Sequence, residues 1–159
     1  MKIKHGMILA AGLGKRMQPL TNKKPKPLLE IRGSSLLERA INLLINHGVE
    51  EITVNVHHLA SQIEKFISDF KSEIKIKISN EKDLLLDTGG GVKKGTNEFK
   101  DNPFFVINPD TLWSDKYSKE VQSLEKEYFI NKRPCLLLVK KELSFDNSFK
   151  GDFNLKNNL

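Results

Sequence analysis

Apolar and polar positions switch period repeatedly along this chain, and each switch marks an element. Residues 5–11, HGMILAA, form a short apolar run that leads into glycine, which predicts a buried strand ending near Ala11. Residues 12–33 then lose all periodicity. They hold glycines, prolines and five lysines or arginines before Leu28, and predict a long ordered loop of the kind that is usually functional. In SSLLERAINLLINHG the period becomes helical: Leu36, Leu37, Ala40, Ile41, Leu44 and Ile45 share a face. Ser35 and Glu38 fit a capping box, and Gly48 fits the C-terminal cap.

The alternation continues. VEEITVNVHH predicts a β-branched strand, and LASQIEKFISDF a helix with Leu59, Ile63, Phe66, Ile67 and Phe70 on one side. EIKIKIS alternates strictly, which predicts a strand with Ile74, Ile76 and Ile78 inward. DTGGGVKKGTNEF predicts three glycines and then a short helix. NPFFVINPD predicts a buried strand, YSKEVQSLEKEYFI a helix and RPCLLLVKK another strand. The polar stretch from residue 144 onward predicts turns and the start of one strand at 152–155.

Strands alternating with helices imply an α/β fold, a Rossmann-like, mostly parallel sheet with helices on both faces. Ligands bind such sheets beyond the carboxyl ends of the strands. The three unusual loops, after residues 11, 79 and 107, all follow strands and are expected to converge on one edge.

Composition narrows the class. The chain has 159 residues, 38% hydrophobic and 29% charged, which fits one globular domain with a real core. No apolar run approaches the roughly 20 residues of a spanning helix, and the apolar part of MKIKHGMILAAG is too short for a signal peptide. A cytoplasmic protein without membrane contact is expected. Cys135 is the only cysteine, which excludes an internal disulfide or a cysteine zinc site; inside CLLLV it reads as a buried small hydrophobe. The net charge of +6 rests on 26 basic residues, of which only Arg16, Arg32, Arg39 and Arg133 are arginine. Dispersed lysines with no aromatic-interleaved basic stripe read as a solvated surface rather than a nucleic-acid face.

The chemistry concentrates in MILAAGLGKRMQPLTNKKPKPLLEI. Gly12 and Gly14 permit a tight turn whose amides can form an anion nest. Arg16 offers a planar fork for phosphate oxygens, and Pro25 and Pro27 restrict the backbone on either side of Lys26. A P-loop fails on spacing and on the missing hydroxyl. A dinucleotide fingerprint fails at Met17 and at the prolines that follow. His57 and His58 have no carboxylate or cysteine at ligand spacing and read as hydrogen-bonding or packing groups. Trp113 reads equally as core or as a sugar-stacking platform.

The pattern L-A-A-G-x-G-x-R-M-x-P-L-T followed by P-K-P-L resembles the signature of the sugar-1-phosphate nucleotidyltransferases, the nucleoside-diphosphate-sugar pyrophosphorylases. VNVHHLASQI, DTGGGV, INPD and KGDFNL extend the likeness over residues 6–155, most nearly to the N-acetylmuramate-1-phosphate uridylyltransferase branch. The resemblance implies transfer of a nucleotidyl group from an NTP, UTP by this branch, to a sugar-1-phosphate such as N-acetylmuramate 1-phosphate. Mannose-1-phosphate guanylyl transfer and nucleotide binding without turnover are the alternatives.

Carried over by motif position, the resemblance places Leu9, Ala10, Ala11 and Gly12 along the base and ribose. Gly14, Lys15 and Arg16 lie at the β- and γ-phosphates, with Arg16 bracing pyrophosphate, and Lys26 at the α-phosphate and the sugar phosphate. Gly89 and Gly90 approach the nucleoside, and Asn80 or Glu81 reads the base. Asp110 ligates Mg²⁺ with Asn108 in support, and His57 faces the sugar. The family pattern has glycine where this chain has Pro109. It also continues well beyond residue 159, so a single nucleotidyltransferase domain over 1–159, incomplete at its C-terminal side, is expected, without the second metal-binding aspartate.

Overall fold

The structure is a computed structural model that describes residues 1–143 together with Ser148, Lys150, Gly151 and Phe153. The expected strand start at 152–155 lies mostly outside the described residues. The elements are β1 (His5–Leu9), β2 (Glu30–Ile31), β3 (Ser34–Ser35), α1 (Leu36–His47), β4 (Glu51–Val56), α2 (Ala60–Asp69), β5 (Lys75–Asn80), α3 (Asp87–Gly95), β6 (Phe104–Ile107) and α4 (Ser118–Asn131).

Four strands form one parallel sheet in the order β5-β4-β1-β6. The chain first runs from β1 outward to β4 and β5, then returns to place β6 on the other side of β1. The strand order therefore reverses beside β1, and a crevice opens there at the carboxyl ends.

Alternate residues of the strands serve opposite faces. Ile8, Ile52, Val54, Val56, Phe105 and Ile107 point to one face. There they join Leu37, Ala40, Ile41 and Leu44 of α1 and Val121 of α4 in the main core. Met7 and Thr53 point to the other face, where Gly95 of α3 lies against them. The expectation of helices on both faces is met.

Helix α1 begins as its sequence dictates. The Glu38 amide donates to Ser35 Oγ at 3.1 Å, the Ser35 amide donates to Glu38 Oε2 at 3.3 Å, and Gly48 closes the other end. Ser35→Ala removes the acceptor for an otherwise orphaned amide. It should cost about 1 kcal/mol, read as a lower urea midpoint with an unchanged slope.

Several expectations need correction. The three glycines do not precede a helix but lie inside α3. Each costs about 1 kcal/mol relative to alanine in a helix interior, yet tertiary packing overrides that propensity. A Cβ on Gly91 would stand 2.7 Å from Asn55 Nδ2 and 2.8 Å from Glu81 Oε1, so only glycine lets α3 come this close to the sheet.

RPCLLLVKK forms no strand. The run has no hydrogen-bonding neighbour among the described strands, and β propensity without a partner is not structure. Leu136, Leu137, Leu138 and Val139 remain exposed, and Cys135 is half-buried rather than buried. Ile78 is exposed as well, because β5 is an edge strand with a neighbour on one side only, whereas Ile74 and Ile76 pack against the core. Within the long loop the structure adds the small β2–β3 hairpin, turned by Arg32 and Gly33 at positive φ.

Candidate functional site

A cleft of about 520 Å³ opens beyond the carboxyl ends of β1, β4 and β6. The end of β1 and its loop supply Leu9, Ala11, Gly12, Leu13, Gly14, Lys15, Arg16 and Met17. Lys26, Pro27 and Leu36 close one wall, Asn55 forms part of the floor, and Leu85, Asp87 and Thr88 enter from the α3 side. Asn108, Pro109 and Asp110 enter from β6. The three loops picked out in the sequence do converge.

The first loop is held by few but specific contacts. Gly14 sits in the left-handed region at φ 64°, and a Cβ there would be 2.9 Å from Thr21 Cγ2, so no other residue fits the turn. Its carbonyl accepts from Thr21 Oγ1 at 2.8 Å and from the Met17 amide at 2.9 Å. Lys15 and Arg16 follow in a short 3₁₀ turn and stay exposed on the cleft wall. Among the described residues no acceptor engages the Arg16 guanidinium, which leaves its fork free for an anion. Lys24, by contrast, is occupied: it donates to Glu30 at 2.6 Å, and that hydrogen bond holds the Glu30 carboxyl below its ordinary range.

Lys26 is anchored from below. Pro27 and Leu28 are buried, and the Leu28 and Leu29 amides donate to the Pro25 and Lys26 carbonyls in another 3₁₀ turn. The side chain then reaches across the cleft, where Nζ donates to Asp110 Oδ2 at 2.7 Å. Pro109 is buried and leaves Asp110 on the cleft wall. Trp113 fixes the same loop, its indole N–H donating to the Asn108 carbonyl at 2.9 Å and its ring meeting Tyr117 edge-on. It acts as a loop clamp.

Of the residues expected to line a binding site, the cleft gathers Leu9, Ala11, Gly12, Gly14, Lys15, Arg16, Lys26, Asn108 and Asp110. Six others stand off its walls. Ala10 is buried and donates its amide to Asn55 Oδ1 at 2.7 Å. Gly89 and Gly90 lie on α3 just past the cleft-lining Thr88. Asn80 donates to Glu64 at 3.1 Å, on the outer edge of the sheet. Glu81 is buried beneath the cleft, 2% exposed, with both carboxylate oxygens engaged. His57 Nδ1 donates to the Glu81 carbonyl at 2.8 Å, and His58 Nε2 donates to the Thr21 carbonyl at 3.2 Å. The histidine pair is therefore the hydrogen-bonding feature that its sequence context suggested.

Sequence reasoning missed Asn55, Asp87 and Thr88. Asn55 left one signal, an amide in a run, ITVNV, whose other residues are all β-branched.

The wall thus carries three cations, Lys15, Arg16 and Lys26, against two carboxylates, Asp87 and Asp110. Three cations and a glycine turn suit phosphate oxygens. Among the described residues no group of three or more histidine, cysteine or acidic side chains could cage a metal. A hard dication such as Mg²⁺ needs no such cage; it takes one or two carboxylates and completes its shell with water and phosphate. Asp110 fits that demand. None of the helices among the described residues is long and apolar enough to cross a membrane.

The chain is similar to known proteins in sequence and in fold. The chain is 34% identical over 153 residues to the N-acetylmuramate alpha-1-phosphate uridylyltransferase of Caulobacter vibrioides, a match covering 94% of the chain and 63% of that protein. It is 35% identical over 127 residues to the mannose-1-phosphate guanyltransferase of Hypocrea jecorina, covering 77% and 34%. The crystal structure of HddC from Yersinia pseudotuberculosis complexed with GMP-PN superposes with a TM-score of 0.62 at 31% identity, covering 76% of this chain and 54% of that one. The chain therefore spans less than two thirds of the length of each of these relatives. Residues 5–136, which contain every wall of the cleft, match the family model described as Nucleotidyl transferase, and the chain belongs to that family.

Proposed function

We propose that this cleft transfers a nucleotidyl group from a nucleoside triphosphate to a sugar-1-phosphate. The observation that carries the reading is the Lys26–Asp110 pair, 2.7 Å long, facing the glycine loop across the strand switch point. In the reaction a phosphate oxygen of the sugar-1-phosphate attacks the α-phosphorus in line. A new P–O bond forms, the bond from the α-phosphorus to the bridging oxygen breaks, and pyrophosphate departs with that oxygen. The nucleophile is already an anion, so the protein's work is positioning and charge neutralisation.

The side chains divide that work. Gly12 and Gly14 let backbone amides approach the triphosphate, and Lys15 and Arg16 hold its β- and γ-phosphates. Arg16 braces the leaving pyrophosphate with two parallel donors. Lys26 exchanges Asp110 for the α-phosphate and the incoming phosphate, and Asn108 borders the sugar phosphate. The released Asp110 carboxylate would hold Mg²⁺, which would supply further neutralisation of the phosphate oxygens. Leu9, Leu85 and Thr88 border the nucleoside.

The nucleotide is UTP and the acceptor N-acetylmuramate 1-phosphate in the first reading, supported by the Caulobacter relative. GTP with mannose 1-phosphate is the second, supported by the Hypocrea relative and by the guanine nucleotide in the HddC complex.

Pyrophosphate release from each of the four NTPs, offered with both sugar phosphates, tests the proposal. UTP with N-acetylmuramate 1-phosphate should give the largest kcat/KM. Silence from every pair rejects transfer by this chain, and nucleotide-dependent thermal stabilisation under the same conditions would then identify binding without turnover.

A further inference from the structure

Beneath the cleft lies a hydrogen-bonded group to which the reaction assigns no step. Asn55 is 3% exposed and is the last residue but one of β4, and Glu81 is 2% exposed and follows β5. Asn55 Oδ1 accepts from the Ala10 amide at 2.7 Å, and Asn55 Nδ2 donates to Glu81 Oε1 at 2.8 Å. Glu81 Oε2 accepts from the Leu86 amide at 3.0 Å, where α3 begins. The Glu81 main chain is tied as well: its amide donates to the Val56 carbonyl at 2.8 Å, and its carbonyl accepts from His57 Nδ1.

We propose that Asn55 and Glu81 are a positioning pair that sets the nucleoside half of the cleft by fixing the β1 end to the α3 entrance. The inference rests on the proposed nucleotidyl transfer and adds residues that touch no reacting atom. Three loops rise from three strands, and nothing in a parallel sheet fixes their mutual spacing beyond the last ladder bond. The pair supplies that spacing. One amide dipole and one carboxylate span from Ala10 to Leu86, so the walls formed by Leu9 and by Leu85–Thr88 cannot separate without breaking a buried hydrogen bond. A buried polar group left unpaired is costly, which makes the arrangement all-or-none.

Among the described residues Glu81 has no cationic partner. Its oxygens are matched only by N–H groups, so the polarity of the chain is fixed: acceptor at Oδ1, donor at Nδ2, acceptor at both Glu81 oxygens. The fit is tight, because α3 crosses the pair at Gly91, where a Cβ would come within 2.8 Å of both side chains.

The fixed polarity gives the test. Glu81→Gln sets an amide donor against Asn55 Nδ2 or against the Leu86 amide, and Asn55→Asp sets two carboxylates against each other. The double variant Asn55→Asp with Glu81→Gln restores complementarity with every hydrogen bond in place and the middle one reversed. Each single variant should raise the KM and Kd for UTP tenfold or more, with kcat and the KM for sugar phosphate within threefold of the parent. The double variant should bind UTP better than either single. Amide hydrogen exchange at Ala10 and Leu86, read by NMR without ligand, should speed up tenfold or more in the singles and slow again in the double. Equal losses in kcat and nucleotide affinity, or a double variant no better than the worse single, would overturn the pairing. Rapid exchange at Ala10 and Leu86 in the parent would do the same. A parent with slow exchange at both amides and no nucleotide affinity would instead overturn the proposed transfer, and the positioning role with it.

Discussion

Lys26→Ala should lower kcat by about 10²–10³-fold, the loss typical of removing one preorganised charge partner of a transition state, while the Kd for nucleotide rises far less. The asymmetry follows from where the ammonium sits. It is held by a buried turn and aimed at Asp110 across the cleft, on the line along which the proposed reaction brings two phosphates together. Charge accumulates there as the new P–O bond forms, so the lysine is worth more in the transition state than in the ground state. The fold should tolerate the change, since the pair is partly exposed, with side chains 26% and 46% accessible, and such ion pairs contribute about 0–1 kcal/mol. The melting temperature should therefore stay near that of the parent. Steady-state kinetics beside equilibrium nucleotide binding decide the matter: equal falls in turnover and affinity would place Lys26 in uniform substrate binding instead.

Arg16→Lys is the second large effect. The substitution keeps the charge and discards the fork. Arg16 has no partner among the described residues, so nothing in the resting fold depends on its guanidinium, and stability should not change. Against a pyrophosphate group the planar fork makes two charge-assisted hydrogen bonds where an ammonium makes one. Losing one such bond is worth about 1.5–3 kcal/mol, so kcat/KM should fall about ten- to hundredfold. Undiminished kcat/KM in the lysine variant would exclude bidentate contact. The comparison with Lys26→Ala is informative in itself, because one variant removes a charge and the other only its shape.

Some of this protein was settled by its sequence alone. The buried β1 strand, the capped α1, the parallel architecture and the meeting of three loops at one edge all follow from hydrophobic period and from glycine, proline and capping chemistry. These are local properties, carried by neighbouring residues, and the motif from Leu9 to Lys26 is local in the same sense. What failed was whatever depends on a distant partner. RPCLLLVKK has the composition of a strand but no neighbour to bond with. The glycines of DTGGGV look like the approach to a helix, yet they lie inside one, and at Gly91 a Cβ would meet Asn55 and Glu81, residues that no local pattern brings there. The resemblance sets Asn80 or Glu81 at the base, yet nothing in the sequence shows that Glu81 lies buried with the Asn55 side chain on one oxygen and the Leu86 amide on the other. The Lys26–Asp110 pair joins residues 84 positions apart. Sequence period decides which way a side chain faces relative to its own backbone; which group it then meets is decided by how the sheet is ordered, and no local pattern contains that order.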